Sequence, residues 1–200
     1  MEERKIDDII NELDNSKVSH CGGLIPQTPG ALKKEEREDL AIESVVFVCT
    51  GNLCRSPMAA GILKKLVRGE GLIDIRIDSA GTYGCEGEPA APLAERVCRE
   101  EGVDISGHIA KRIDYELASM SDLIVVMEIG HFQEITDSFP GTKEKLLLIG
   151  SLEDGKEIGS IADPYGKGLR EYRECYSQLK RLVEKLYEDV LKKKASRGME

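Results

Sequence analysis

Short apolar runs alternate with amphipathic segments from residue 44 onward, and this alternation predicts the fold. Strands are predicted at the runs of mostly β-branched and aliphatic residues, 45–48, 73–77, 123–127 and 145–149. Helices are predicted between and after them, at 56–69, 92–101 with Gly102 as its end, 114–119, 131–137 and 168–194. Strands separated by helices favour right-handed crossovers between parallel strands. The prediction is an α/β fold, a three-layer α-β-α sandwich with a four-stranded parallel sheet flanked by helices, plus an N-terminal extension.

The first 43 residues follow a different pattern. Residues 3–13 have the apolar spacing of one helix face, residues 16–30 are rich in Gly, Pro, Ser and Thr, and residues 31–42 form a charged segment. His20 and Cys21 lie in the middle stretch, where a plain loop is favoured over a metal or redox site. We therefore expect an extension at 1–43, a domain at 44–194 and a tail at 195–200.

Charge and cysteine content narrow the function. The formal net charge of −9 argues against nucleic-acid binding but leaves an anionic substrate open. No apolar run approaches the roughly 20 residues of a membrane helix, and the charged N-terminus does not resemble a secretory signal. A cytoplasmic protein is expected, and its six cysteines are expected to be reduced thiols.

The segment VVFVCTGNLCRSP, residues 45–57, carries the candidate chemistry. Cys49 ends the first strand, and ligands of parallel sheets bind at the carboxyl ends of strands. The loop that follows can direct its N–H groups inward and bind an anion together with the helix N-terminus. Arg55 adds a planar guanidinium that can hold two phosphate oxygens.

Individual residues suit such a phosphate-binding loop. Gly51 and Asn52 tolerate backbone angles that other residues resist. Ser56 is placed to cap the helix and to donate to Cys49, and Pro57 suits the first helical turn. The inward N–H groups, the helix N-terminus and the guanidinium all favour a thiolate. Cys49 is therefore predicted to be a nucleophile beneath a bound phosphate.

Other interpretations fit the segment less well. Cys49 and Cys54 form a C-x4-C pair, but no second pair follows to complete a four-ligand zinc site. The loop also lacks the Gly-Lys-Ser/Thr ending of a nucleotide-binding P-loop. Phosphoryl transfer needs an acid for the leaving group, and Asp163 in ADPYG, residues 162–166, is the candidate. Asp-Pro is also a common turn, so this assignment is weak when taken alone.

These residues resemble the low-molecular-weight protein tyrosine phosphatase family of the bacterial type, which includes protein arginine phosphatases. Residues 45–57 resemble its V-C-x-G-N-x-C-R-S-P loop, and ADPYG resembles its general-acid loop. DSAGTYG, DISGHIAKRI and VVMEIGH, which begin at residues 78, 104 and 125, also resemble family segments. The resemblance covers about residues 44–194.

The resemblance implies a role for each matching position. Cys49 would attack phosphorus, Arg55 would bind the phosphoryl oxygens, and Asp163 would protonate the leaving oxygen and then activate water. Ser56 would stabilise the thiolate, and hydrogen bonds involving Ser79 and His108 would hold Asn52. The resemblance further implies a loop of Thr50, Gly51, Leu53 and Cys54, a pocket rim at Tyr83 and Tyr165, and a protective Cys49–Cys54 disulfide. The resemblance implies neither a metal nor a cofactor. The expected partners are phosphorylated proteins, and neither nucleic acid nor a membrane is expected. The oligomeric state stays open.

Three activities share the scaffold that this sequence resembles. Arsenate reduction is disfavoured because residues 115–135 contain no resolving cysteine pair. Phosphoarginine-specific members carry threonine where Leu53 stands, and an aliphatic residue there suits an aromatic ring. Phosphotyrosine is therefore the preferred substrate, although Tyr83 and the compact segment 79–92 also resemble the phosphoarginine branch. A binding module that has lost catalysis is the alternative from a different functional class.

Overall fold

A computed structural model describes residues 42–69, 75–153 and 159–192 of the chain. Its sheet contains β1 (Ser44–Cys49), β2 (Arg76–Gly81), β3 (Leu123–Val126) and β4 (Leu146–Leu148). The strand order is β2-β1-β3-β4, and every neighbouring pair is parallel. β1 therefore lies inside the sheet, and its carboxyl end opens between two neighbouring strands.

Helices cover both faces of the sheet. They are α1 (Arg55–Gly69), α2 (Pro92–Glu100), α3 (Tyr115–Met120), α4 (Ile129–Ser138) and α5 (Leu169–Leu186), with 3₁₀ turns at Lys143–Lys145 and Ile149–Leu152 and a π-helical segment at Tyr187–Lys192. Helices α1, α2 and α5 pack on one face, and α3 and α4 pack on the other. The predicted three-layer α/β sandwich with a four-stranded parallel sheet is confirmed.

The two cores explain why the β1 sequence is apolar without interruption. Val45 and Phe47 join the core beneath α1, α2 and α5, whereas Val46 and Val48 join the core beneath α3 and α4. Successive side chains of a strand point to opposite faces, so a strand covered on both sides needs apolar residues at every position. The same alternation places Cys49 on the α1 side at the carboxyl end of the strand.

Several element boundaries differ from the predictions. The strand predicted at 73–77 runs instead from Arg76 to Gly81, while residues 73 and 74 lie outside the described part. Its polar residues Asp78 and Ser79 interrupt the apolar pattern, yet they pair with Val46 and Phe47 of β1. Main-chain pairing thus extends the strand beyond its apolar residues. Helix α1 begins one residue earlier than predicted, and α4 begins two residues earlier. Gly102, which was predicted to end the helix now called α2, follows that helix and has a positive φ of +69°.

Part of the predicted organisation cannot be compared with the structure. Four predicted features lie outside the described residues: the helices predicted at 3–13 and in the charged segment 31–42, the loop with His20 and Cys21, the last two residues of the helix predicted at 168–194, and the tail at 195–200. The division of the chain at residue 43 stays a prediction. Within the described ranges, no helix combines the length and the apolar character needed to cross a membrane.

Candidate active site

The loop between β1 and α1 is held from outside through its carbonyl groups. The N–H of Thr82 donates to Cys49 O (2.8 Å), the N–H groups of Tyr83 and Gly84 donate to Thr50 O (3.0 and 3.1 Å), and the N–H of Cys85 donates to Gly51 O (2.9 Å). In a trans peptide the C=O and the following N–H point in opposite directions. The N–H groups of residues 50–52 are therefore directed away from the 82–85 segment, as an anion site requires.

Gly81 allows this close contact between the loop and the end of β2. A Cβ at this position would lie 2.4 Å from Thr50 O and 3.0 Å from Asn52 N, both of which are backbone atoms of the loop. Any side chain at residue 81 would therefore push the loop away from β2.

Asn52 holds the loop from within. It has φ of +60°, the sole positive φ of a non-glycine residue in the described ranges, and its side chain is completely buried. Its Nδ2 donates to Ser56 Oγ (2.9 Å) and Ser79 Oγ (3.0 Å), and its Oδ1 accepts from Lys111 N (3.0 Å). His108 Nε2 lies 2.7 Å from Asn52 O, and burial lowers the pKa of this histidine. A neutral His108 with its proton on Nε2 would donate to that carbonyl.

The side chains of Cys49 and Ser56 are in direct contact behind the loop. Cys49 Sγ lies 3.0 Å from Ser56 Oγ, which also lies 3.1 Å from Ala80 O. A hydroxyl has one proton to donate, so it can serve either the carbonyl or a thiolate sulfur. The prediction that Ser56 caps the helix is wrong, because α1 already begins at Arg55 and the hydroxyl faces Cys49, Asn52 and Ala80 instead.

Arg55 is the most deeply buried charge of the site, with 1% of its surface exposed. Its Nη1 donates to Ile161 O (3.1 Å) and lies 3.5 Å from Glu128 Oε1. Its Nη2 donates to Asp163 Oδ2 (2.6 Å) and to Thr50 Oγ1 (3.4 Å). Its Nε is buried and has no hydrogen-bond partner among the described residues. Because a buried N–H without a partner is costly, this atom is available for an anion in the loop.

Asp163 reaches the site from the segment between β4 and α5. The N–H of Ile161 donates to Met127 O (2.9 Å), which ties this segment to the end of β3. The Oδ1 of Asp163 accepts from Tyr165 N (3.1 Å), while Oδ2 pairs with Arg55. About 43% of the Asp163 side chain remains exposed, so the carboxylate can exchange partners with solvent or substrate.

A cavity of about 210 Å³ lies above Cys49. Its walls come from the loop, the 82–85 segment and the Asp163 segment: Cys49, Thr50, Gly51, Leu53, Cys54, Tyr83, Cys85, Asp163 and Tyr165. Tyr83 and Tyr165 are 74% and 63% exposed, so their rings stand at the mouth. The structure thus brings together every site residue that the sequence proposed, with Ser56, Asn52, Ser79 and His108 behind the loop and Arg55 beside it.

Cys54 lines the same cavity as Cys49 but has a different environment. Its Sγ lies 3.3 Å from the hydroxyl of Tyr172. Burial raises the pKa of Cys54 to about 11, although the hydrogen bond from Tyr172 acts in the opposite direction. Cys54 is therefore a neutral thiol near pH 7.

Glu128 and His131 are site residues to which the sequence assigned no role. His131 Nε2 lies 2.9 Å from Thr50 Oγ1 and 3.0 Å from Glu128 Oε1, and the ring is buried. Burial lowers the pKa of His131, whereas the negative charge of Glu128 acts to raise it. The segment VVMEIGH could have predicted the contact between Glu128 and His131, because an acid and a histidine three positions apart at the start of a helix share one face.

The comparison with protein families agrees with this geometry. Residues 44–196 match the model of the family described as low molecular weight phosphotyrosine protein phosphatase. The chain belongs to this family. The resemblance inferred from residues 45–57 and 162–166 is thereby confirmed, as is the expected enzyme class, because phosphatases of this family are phosphoric monoester hydrolases.

Individual relatives include enzymes with two different substrates in their names. The chain is 34% identical over 142 residues to the low molecular weight protein-tyrosine-phosphatase Etp of Escherichia coli K12, covering 71% of this chain and 90% of the relative. It is 33% identical over 146 residues to a protein-arginine-phosphatase of Geobacillus stearothermophilus, covering 73% and 95%. The crystal structure of the Erwinia amylovora tyrosine phosphatase AmsI superposes with a TM-score of 0.70 at 29% identity, covering 77% of this chain and 97% of that one.

Proposed function

We propose that this family member is a protein tyrosine phosphatase, which hydrolyses phosphotyrosine in proteins through a cysteinyl-phosphate intermediate. The observation that carries the proposal is that Cys49 and Asp163 line one small cavity and that Arg55 forms an ion pair with Asp163. We assign the catalytic domain to residues 44–194.

In the first step, the Cys49 thiolate would attack phosphorus while the bond to the tyrosine oxygen breaks. The phosphoryl oxygens would accept hydrogen bonds from the loop N–H groups and from Arg55 Nε, which has no partner among the described residues. They would also compete with Asp163 for Arg55 Nη2. Asp163, released from Arg55 and protonated, would give its proton to the departing oxygen.

In the second step, water would attack the cysteinyl phosphate and release inorganic phosphate. Asp163, now a carboxylate, would take a proton from this water, and the S–P bond would break to return the electron pair to Cys49. Ser56 supports this step, because its Oγ lies 3.0 Å from Cys49 Sγ and can direct its proton to the leaving thiolate.

The walls of the cavity support phosphotyrosine as the substrate. Leu53 presents an aliphatic side chain, and the exposed rings of Tyr83 and Tyr165 flank the mouth, an arrangement that suits a flat aromatic ring. Among the described residues that line the cavity, Asp163 is the one carboxylate, and it is already paired with Arg55. A guanidinium group would find few polar partners there.

Phosphoarginine is the second candidate because the relatives include a protein-arginine-phosphatase at nearly the same identity as the tyrosine phosphatase. The two substrates would be separated by kcat/KM on matched phosphotyrosine and phosphoarginine peptides. We expect the phosphotyrosine peptide to be hydrolysed faster, and Leu53→Thr to shift the preference toward phosphoarginine. A faster phosphoarginine reaction would favour the second candidate.

Catalysis itself is tested with p-nitrophenyl phosphate. The wild type should hydrolyse it, and Cys49→Ser should abolish turnover while circular dichroism shows an unchanged fold. Turnover that persists in Cys49→Ser would contradict the cysteinyl-phosphate mechanism. A folded wild type that binds phosphopeptides but hydrolyses none of these substrates would instead be a binding module.

A further inference from the structure

A second cavity, which we call the side groove, adjoins the cavity above Cys49. It has a volume of about 800 Å³ and is lined by Thr50, Thr82, Tyr83, Arg112, Ile113, Asp114, Glu134, Ile135, Ser138 and Phe139. Thr50 and Tyr83 line both cavities, so the side groove continues directly from the site of the proposed chemistry.

The floor of the side groove is apolar and belongs to the core. Ile113 and Ile135 are buried in the core beneath α3 and α4, and the partly buried Phe139, which packs against that core, keeps an apolar surface accessible in the side groove. An apolar surface that remains accessible beside a catalytic cavity is typical of a binding site.

The walls of the side groove are fixed by the same strand end that holds the phosphate-binding loop. The N–H of Ile113 donates to Gly81 O (2.9 Å), and Arg112 Nε donates to Thr82 O (3.1 Å). Asp114 caps α3 by accepting from Leu117 N (2.7 Å). Because these bonds are internal to the fold, the side groove is formed before any substrate arrives.

We propose that the side groove binds the residues flanking the phosphorylated residue of a protein substrate and selects an apolar side chain accompanied by a basic one. The proposal rests on the proposed function, since it requires the phosphorylated residue to lie above Cys49. It names the substrate class as phosphoproteins with an apolar–basic pair close to the phosphorylated position.

The volumes of the two cavities support this assignment. The cavity above Cys49, at about 210 Å³, accommodates little beyond one phosphorylated side chain. The side groove, at about 800 Å³, has the size of a site that encloses a larger ligand. Binding energy from parts of a substrate that do not react can be used to orient the part that does.

The charges of the groove walls favour a basic residue in the bound substrate. Exposed Asp114 and Glu134 give the lining two carboxylates, against the one positive charge of Arg112, whose Nε donates to Thr82 O, so the charge of the lining is net negative. Glu134 lies on α4, where Ser138 one turn later continues the same wall. A lysine or arginine beside the apolar residue would interact with these carboxylates, whereas a glutamate would be repelled.

The test uses four phosphotyrosine peptides that differ in one neighbouring pair: Leu-Lys, Leu-Glu, Ser-Lys and Ser-Glu, placed on either side of the phosphotyrosine in separate sets. If the wild type prefers phosphoarginine, the same four pairs flank a phosphoarginine. We expect kcat/KM for the Leu-Lys peptide to exceed that for Ser-Glu roughly tenfold in one of the sets. Hydrolysis of p-nitrophenyl phosphate, which has no flanking residues, provides the reference rate.

The variant Glu134→Lys should reverse the ratio of kcat/KM between the Leu-Lys and Leu-Glu peptides, a ratio from which any change in the chemical step common to both peptides cancels. Glu184→Lys is the matched control, because it makes the same charge reversal at an exposed position of α5, on the opposite face of the sheet. It should keep the wild-type preference.

The outcomes separate the two proposals. Equal kcat/KM for all peptides by a wild type that hydrolyses p-nitrophenyl phosphate would overturn the side-groove proposal and leave the proposed function standing. The same holds if Glu134→Lys and Glu184→Lys behave alike. A wild type that hydrolyses neither the peptides nor p-nitrophenyl phosphate would overturn both.

Discussion

Arg55 Nη2 lies 2.6 Å from Asp163 Oδ2, so the proposed phosphate-binding cation and the proposed general acid form an ion pair at the Asp163 wall of the cavity. The two residues are 108 positions apart in the chain. A bound phosphoryl group would take over the guanidinium and release the carboxylate beside the leaving oxygen. The ion pair thereby holds the Asp163 carboxylate on the wall of the cavity above Cys49 until a phosphoryl group binds.

The variant Asp163→Asn should lower kcat about 10²- to 10⁴-fold for phosphotyrosine peptides, because the leaving oxygen loses its proton donor. The asparagine oxygen can still accept from Arg55, so the fold should persist. The loss should be much smaller for p-nitrophenyl phosphate, whose leaving group is more acidic. Equal losses on both substrates would argue against Asp163 as the acid.

Asn52 provides a test of backbone strain. Asn52→Ala removes the bonds to Ser56, Ser79 and Lys111 and leaves alanine at φ of +60°. We expect a loss of about 2 kcal/mol in the free energy of unfolding. Asn52→Gly loses the same bonds but tolerates this φ, so it should be more stable than Asn52→Ala by about 0.5–1 kcal/mol. Urea denaturation of both variants measures the difference, and a less stable glycine variant would contradict it.

Glu128 and His131 are expected to act as positioning residues for Thr50 and Arg55. His131→Asn should lower kcat about 10- to 100-fold with little change in KM, because the loop and the guanidinium would shift slightly. Thr50→Val removes the hydroxyl that His131 contacts. If the pair acts through this contact, the double variant should be no slower than the slower single variant. Fully additive losses would show that the two residues act separately.

The buried histidines predict how stability depends on pH. Burial lowers the pKa of His108 in the folded state, so below its ordinary value of about 6.5 the unfolded chain binds more protons than the folded one. Stability should therefore fall as pH drops from 7 to 5, with a similar contribution from His131. His108→Gln, which can still donate to Asn52 O, should show a shallower fall in Tm over this range. Identical slopes would contradict this assignment.

Cys54 is expected to protect the nucleophile from oxidation. Peroxide would convert the Cys49 thiolate to a sulfenic acid, and the Cys54 thiolate would displace hydroxide from that sulfur to form a disulfide, which dithiothreitol reduces. Because the pKa of Cys54 is about 11, disulfide formation should accelerate between pH 7 and pH 9.

The measurement is the activity recovered by dithiothreitol after peroxide treatment. Recovery should be high for the wild type and low for Cys54→Ser. Cys98→Ala is the control, since burial raises the pKa of this core thiol to about 12 and Cys98 is not among the residues that line the cavity. Equal recovery in Cys54→Ser would sink the hypothesis.

Much of the fold and the site could be predicted because the relevant signals are local. The uninterrupted apolar run of β1 predicted a strand with helices packed on both faces of its sheet. Residues 49–55, at the end of that strand and in the loop after it, contain Cys49, Asn52 and Arg55. Local sequence patterns did not predict the first residue of α1 or the extent of β2 correctly. Ser56 was predicted to cap the helix, but its hydroxyl lies within hydrogen-bond distance of Cys49 and Ala80 instead. Strand β2 continues through polar Asp78 and Ser79 because β1 pairs with them.

The sequence by itself determined the fold class and the candidate phosphate-binding loop with Cys49, because both depend on residue types at short spacing, while the resemblance to the family pointed to Asp163 as the candidate acid. The tertiary structure alone decided the contacts between distant segments. It placed Asp163 against Arg55, His131 against Thr50 and the backbone of Thr50 against Gly81, and it joined the side groove to the cavity above Cys49. Such contacts follow from how the parallel strands bring their carboxyl ends to one edge of the sheet, which a single sequence does not specify at the level of individual atoms.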